Sequence, residues 1–380
     1  MHEYINGAIL EAVEKAEVLK GKIPSDTTVY FEQLAVTAEK SLDEWIRVLY
    51  NLLESSTYQK PEILKQKFSD YKQVYRELEI LENVIIAALM RSNSKEEVHV
   101  NLLVDSICKE IKYPLIRPVT SCLSQDYYHI YPVYNLLCVP LLEGDFLLHL
   151  PDIYHELAHP LLESTNRKAE AFQQAWGRFN LIAKGYFDDI IDRKIKSSQS
   201  DATIDFYQTW KFSWTEKWSV EFFCDLFGIY TLGPAFAWAN LHLCVKSSAN
   251  VYQIPYHQPT SHPPDDARMR AMFYGLELIG YQKESQEIES KWNEFKHIVG
   301  HKSKEYYENA LPNSLIEAVA KHAFEGTKNI GCELAPSNRN KLIVNLLNGA
   351  WIEFWKEPIA FVQWESEQVK ELKSKLQSRF

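Results

Sequence analysis

LPDIYHELAHPLLES, Leu150 to Ser164, sets two histidines four residues apart, with a glutamate directly after the first. On a helix, positions i and i+4 share a face, so His155 and His159 would offer two imidazoles to one ion. Glu156 sits one residue round, where its carboxylate can reach an activated water. This is the mechanical content of an HExxH signature. Catalysis at such a site needs one further protein ligand and an open corner. Pro160 complicates the helix. It lacks an N–H, clashes with the carbonyl four residues back and pushes His159 away from the α region, so a kink or stop at His159 is expected.

Working outward, WSVEFFCDLFGIY (Trp218 to Tyr230) supplies partners. Glu221 and Asp225 are again i and i+4, inside an otherwise apolar helix. Two acids there would be costly to bury alone, and a cation relieves that cost. Glu221 is the expected third ligand, with Glu163, Glu170 and Glu216 as rivals. Asp225 is placed to accept the free ring N–H of a ligating histidine and so orient it. Further on, Ser261-His262-Pro263-Pro264-Asp265-Asp266-Ala267-Arg268 brings another histidine and an arginine. His242 and His257 are alternatives to His262. Tyr230, Tyr252 and Tyr256 are available as oxyanion donors.

The rest of the chain bounds these readings. With 46% hydrophobic and 24% charged residues, the 380 residues suit a globular protein with a sizeable core. A net charge of -10 without a basic block argues against nucleic-acid binding, which needs clustered Lys and Arg. No apolar stretch approaches the roughly eighteen residues of a membrane span. The N-terminus, with Glu3, Glu11 and Glu14 among its apolar positions, does not read as a signal peptide. Six scattered cysteines without a CxxC pair suggest buried thiols in a reducing cytoplasm. Residues 1–112 carry helical periodicity and no chemistry. Residues 113–300 open with β-formers, the best strand being Tyr131 to Leu142. Glu143 to Asp145 should turn the chain into the motif helix, with Asp145 as a cap or a fresh start at Pro151-Asp152. Residues 301–380 are helical. The segment KIKSSQSDATID should be a loop between two helices, and Gly233-Pro234 should break a third. The expected fold is mainly α (α+β), with a small β-sheet beside the motif helix, between helical terminal regions.

The order HExxH, then ExxxD on a later helix, then HPP with an arginine six residues after the histidine, resembles the gluzincin zinc metallopeptidases. It is most similar to the branch that includes the membrane-associated Ste24/HtpX-type peptidases. The resemblance covers residues 150–272. It implies a zincin-like core, with Zn2+ held by His155, His159 and Glu221, Glu156 as general base, and His262 and Arg268 beside the site, binding substrate or stabilising an oxyanion. That branch usually carries transmembrane helices, which are not expected here.

The leading expectation is hydrolysis of a peptide or protein substrate by zinc-assisted attack of water. The strand near Tyr134 to Val139 would bind extended substrate by edge addition. Two other functions compete. Two histidines and a carboxylate also form the facial triad of non-haem iron oxygenases, and PDIYHELAHP resembles the PDxxHELxGH stretch of aromatic amino acid hydroxylases, with its histidines one residue closer. Alternatively, the centre binds zinc in a non-catalytic interaction protein, although Glu156 would then be unnecessary.

Overall fold

Leu34, Ala38, Leu42, Ile46, Leu49 and Leu52 recur every three or four residues along Glu32–Glu54, and all are buried. That spacing makes one apolar stripe on a 3.6-residue helix, and similar stripes organise most of this protein. The computed structural model describes all residues except 125–126, 198–199, 248, 304, 338–340 and 379–380. Helices occupy 73% and strands 4%, so the chain is mainly helical with one small sheet. Among the described residues, no helix is long and apolar enough to cross a membrane. All six cysteines are buried and free.

The chain divides into two compact units: Met1–Leu103 with Pro118–Leu142, and Val104–Arg117 with Glu143–Phe380. This differs from a three-part division at residues 112/113 and 300/301. The sheet segment groups with the N-terminal helices, and the C-terminal helices group with the motif.

In the first unit, helices His2–Lys20, Glu32–Glu54 and Leu64–Ile80 close a core that includes Ile9, Leu42 and Leu78, and that also takes Val119, Leu136 and Cys138 from the sheet. The strands are β1 (Val119–Ser124), β2 (His129–Tyr131) and β3 (Leu136–Pro140), ordered β1-β3-β2. β1 runs parallel to β3, with Val119 opposite Leu136, and β2 runs antiparallel to it, with Ile130 opposite Leu137. The strand expected over Tyr131 to Leu142 shortens to β3, with only Tyr131, the last residue of β2, before it. Pro132 opens a 3-10 turn, and Asn135 takes a left-handed conformation (φ 47°) that reverses the chain, a conformation asparagine tolerates well. β3 is also the central strand, with neighbours on both sides, so it has no free edge for substrate addition. The β1 edge is covered by a side chain: Asn101 donates to the Thr120 carbonyl (2.6 Å) and accepts its N–H (2.9 Å).

In the second unit, helix Asn313–Asn329 packs on helices Glu170–Lys196, Ser219–Leu232 and Asp265–Leu278. The expected loop KIKSSQSDATID shrinks to the few residues between Lys196 and Asp201, of which 198–199 lie outside the described residues. Helices Asp201–Ser213 and Ser219–Leu232 are joined through a wider π turn, Trp214–Trp218. Gly233 then ends the run at φ +90°, and Pro234 begins the next helix, Pro234–Lys246. Only glycine takes that conformation without strain, and proline at the first helical position needs no N–H partner. Gly275 has a different duty. A Cβ there would meet Leu226 Cδ2 at 2.9 Å and Ile229 Cγ2 at 3.1 Å. Its absence lets helix Asp265–Leu278 lie close against Ser219–Leu232.

Candidate metal centre

The motif is helical but interrupted. Asp152–Glu156 forms one short helix and His159–Glu163 another. Pro151 precedes the first, so the fresh start at Pro151-Asp152 is what forms, and Asp145 lies in a 3-10 turn at Glu143–Asp145 without capping a helix. Leu157 and Ala158 keep right-handed backbone angles. The ladder tightens to i−3 bonds, from Ala158 N–H to His155 O and from Leu161 N–H to Ala158 O, both 3.0 Å. The Leu157 carbonyl instead accepts the Tyr113 hydroxyl at 2.8 Å. The break thus falls at Leu157–Ala158, ahead of the expected stop at His159, which instead begins the next helix, and the imidazoles still meet: His155 Nε2 and His159 Nε2 are 3.3 Å apart.

Helix Ser219–Leu232 brings the acids. Asp225 is fully buried, and its Oδ1 lies 2.9 Å from His155 Nδ1. Arg268 donates to the same carboxylate twice, Nε to Oδ2 at 2.7 Å and Nη2 to Oδ1 at 2.6 Å. Burial alone would raise the Asp225 pKa, but the guanidinium and the imidazole hold it far below the carboxylate range. An ionised Asp225 accepts a hydrogen bond from His155 Nδ1–H and leaves Nε2 facing the centre. Arg268 therefore grips Asp225, 87% of its side chain being out of solvent, given a relative exposure of 13%.

Glu221 is 9% exposed. Its Oε2 stands 3.4 Å from His155 Nε2 and 3.4 Å from His262 Nε2, yet it forms no hydrogen bond. Burial works against the charged carboxylate, but His155 above all, helped by His262 and His159, holds its pKa at about 2. His155 responds in kind. Burial disfavours the imidazolium, and the Asp225 and Glu221 carboxylates carry it up to about 10. In the metal-free protein a proton on His155 supplies the positive charge that this pocket of acids calls for.

The separations can be tested against an ion. Ligand atoms about 2.0–2.1 Å from a tetrahedral zinc lie about 3.3–3.4 Å from one another. The His155–His159 distance of 3.3 Å and the His155–Glu221 distance of 3.4 Å match that edge. A buried carboxylate oxygen without a hydrogen bond, facing ring nitrogens, is the donor chemistry that an ion would satisfy.

Cys224 is the residue the sequence reading missed. One donor atom each of His155, His159 and Cys224 lie within 4.8 Å of one another. Burial and the charges of Glu221, Asp225 and Glu156 push its thiol well up, which disfavours the thiolate a metal needs. The Glu221 carboxylate, by contrast, is held ionised. The signal was present: Cys224 stands three residues after Glu221 on the same helix.

Glu156 is buried (8% exposed) and near enough to Cys224 for its charge to act on the thiol. His262 is the exposed member, with 61% of its side chain in solvent and Nδ1 2.9 Å from Ser261 Oγ. The rivals are employed elsewhere. Glu163 and Glu216 are exposed, and Glu170 accepts from Gln174. His242 packs on Trp351 and Phe354, its pKa lowered by burial to about 4, and His257 lies on Phe206. Tyr230 donates to the Ala320 carbonyl, Tyr256 to that of Glu305, and Tyr252 packs on Tyr307.

The aromatic richness of the helix before Glu221 also has positional content. Trp210, Trp214 and Trp218 are each fully buried. Their indole N–H groups donate to Pro255 O (2.6 Å), Ala310 O (2.8 Å) and Thr260 Oγ1 (3.1 Å). Two of the three hold the loop that carries His262.

No protein-family model matches the chain, and neither a curated protein nor a solved structure shows detectable similarity to it.

Proposed function

We propose that this protein is a zinc-dependent peptidase with a zincin-like catalytic core. The observation that carries the reading is the Glu221 oxygen, buried and without a hydrogen bond, at the same 3.4 Å from His155 Nε2 and His262 Nε2. His155, His159 and Glu221 would hold the ion. When bound, zinc supplies Lewis acidity, polarising a carbonyl and acidifying water. Asp225 fixes the His155 tautomer, and Arg268 fixes Asp225 through two charge-assisted hydrogen bonds. Glu156 takes the proton of the attacking water and passes it to the leaving amine. His262, on the solvent side, donates to the oxygen on which charge develops.

The test is Glu156→Gln, with metal content and peptide hydrolysis measured together. We expect turnover to fall by about 10^2–10^4-fold, the usual worth of a general base, while bound zinc stays stoichiometric. Undiminished hydrolysis in that variant would sink the mechanism. Iron in place of zinc in protein purified without added metal would favour an oxygenase instead.

A further inference from the structure

We infer that Thr260 and Trp218 are positioning residues that hold the His262 imidazole over the Glu221 carboxylate, an inference that rests on the metal-centre reading above. Trp218 Nε1 donates to Thr260 Oγ1 at 3.1 Å, and Thr260 Oγ1 donates to the His262 carbonyl at 2.9 Å. A hydroxyl has one proton to give and lone pairs to accept. Here each is used once, so a single oxygen joins the helix to the loop.

The placement matters because of what each end carries. Trp218 is fully buried and stands three residues before Glu221. The helix that presents the carboxylate therefore also fixes the backbone of the residue whose ring faces it. Ser261 Oγ, 2.9 Å from His262 Nδ1, engages the other ring nitrogen. Pro263 and Pro264 are buried directly after His262, and their rings lock φ on that side. Upstream, Trp210 holds the Pro255 carbonyl at 2.6 Å. Thr260 closes the remaining gap. Without its hydroxyl, a side chain 61% in solvent would spread over several rotamers, and its 3.4 Å separation from Glu221 Oε2 would be one among many.

The test uses the full chain with an isosteric pair. Thr260→Val removes the hydroxyl and keeps the shape, whereas Thr260→Ser keeps the hydroxyl. In crystals of the metal-free variants, the His262 Nε2 to Glu221 Oε2 separation should stay near 3.4 Å with serine. With valine it should open by about 1 Å or more, a displacement large enough to matter at a reacting centre. In solution, the Trp218 indole proton should exchange slowly with threonine or serine and rapidly with valine. In peptide hydrolysis, valine should lower kcat/KM about tenfold, the low end for residues that orient a metal site, and serine should restore it. Placed on His262→Ala, valine should cost nothing further, since coupled residues are not additive. An additive loss in that cycle, or an unmoved imidazole in the valine variant, would overturn the inference. If no variant cleaves any peptide, the peptidase reading fails, and the separation and the indole exchange still decide the positioning role.

Discussion

Two buried glutamates, one in each unit of this protein, are treated oppositely. Glu97, in the first unit, accepts from the Cys122 N–H at 3.0 Å, Ser121 Oγ at 3.0 Å and Arg91 Nε at 3.3 Å. Burial still dominates and raises its pKa. Glu221, in the second, keeps one oxygen without any hydrogen bond and has ring nitrogens at 3.4 Å, and its pKa falls to about 2. Asp266 follows the first pattern, with Trp292, Lys296 and Tyr307 all donating to it. A buried acid saturated by donors ties a fold together. One that faces imidazole nitrogens without a hydrogen bond of its own suits the proposed cation.

The contrast is sharpest in metal affinity. Glu221→Ala should weaken zinc binding by about 100-fold or more, since the loss removes a proposed ligand. Glu97→Ala should do the reverse, costing about 1–3 kcal/mol of unfolding free energy through its unsatisfied partners with zinc affinity untouched. Chelator competition and chemical denaturation would read the two. A shared response would erase the distinction.

Asp225→Asn tests the next layer. It should cost about 10–100-fold in zinc affinity, as lost orienting partners do, and a silent variant would show that the His155 tautomer is set by other means.

Acid and alkali should separate the two glutamates by sign. Glu221, lowered from 4.5 to about 2, stabilises the metal-free fold above pH 4.5 and loses that contribution as pH falls through 2. Glu97 is raised from 4.5, so stability falls as pH climbs above 4.5. His155, raised from 6.5 to about 10, contributes fully below pH 6.5 and loses its contribution as pH rises through 10. Zinc must displace that proton, so affinity should rise across the same 6.5 to 10 window with about one proton released per ion. Calorimetry in buffers of differing ionisation enthalpy would count it, and a pH-independent affinity would contradict the His155 assignment.

The smallest effect belongs to Cys224. Cys224→Ala should change zinc affinity by less than about threefold, below the range of even an indirect orienting contact. A larger loss would transfer the third ligand from Glu221 to the thiol.

Spacing alone carried part of this site. Two i, i+4 pairs, one in each of two segments, were legible because helical periodicity fixes which side chains share a face. An interruption near Pro160 was legible because proline cannot donate, but its place at Leu157–Ala158 was not. Other features depended on which helices come close, which no local pattern reports. Arg268 was visible as a nearby cation, but only the approach permitted by Gly275 shows that it meets Asp225. Cys224 was hidden by its chemistry, a small apolar-like residue on an apolar helix. The tryptophans read as core, and they are buried, but their N–H groups also find loop oxygens that periodicity cannot name. Of the fold, the helices were plain. The strand pairing was not, because the reversal at Asn135 sits inside a run of β-formers.

The wide turn at Trp214–Trp218 lets one continuous rod serve two masters. An i→i+5 turn holds one residue more than an α turn, and each residue on a helix advances the side chains by about 100°. Upstream of it the rod is phased to Pro255 and Ala310, downstream to His155. Deleting one residue there would let the ladder run on regularly and swing the acid pair about a quarter-turn from the imidazoles. The length of that single turn is thus the dial on which the whole centre is set.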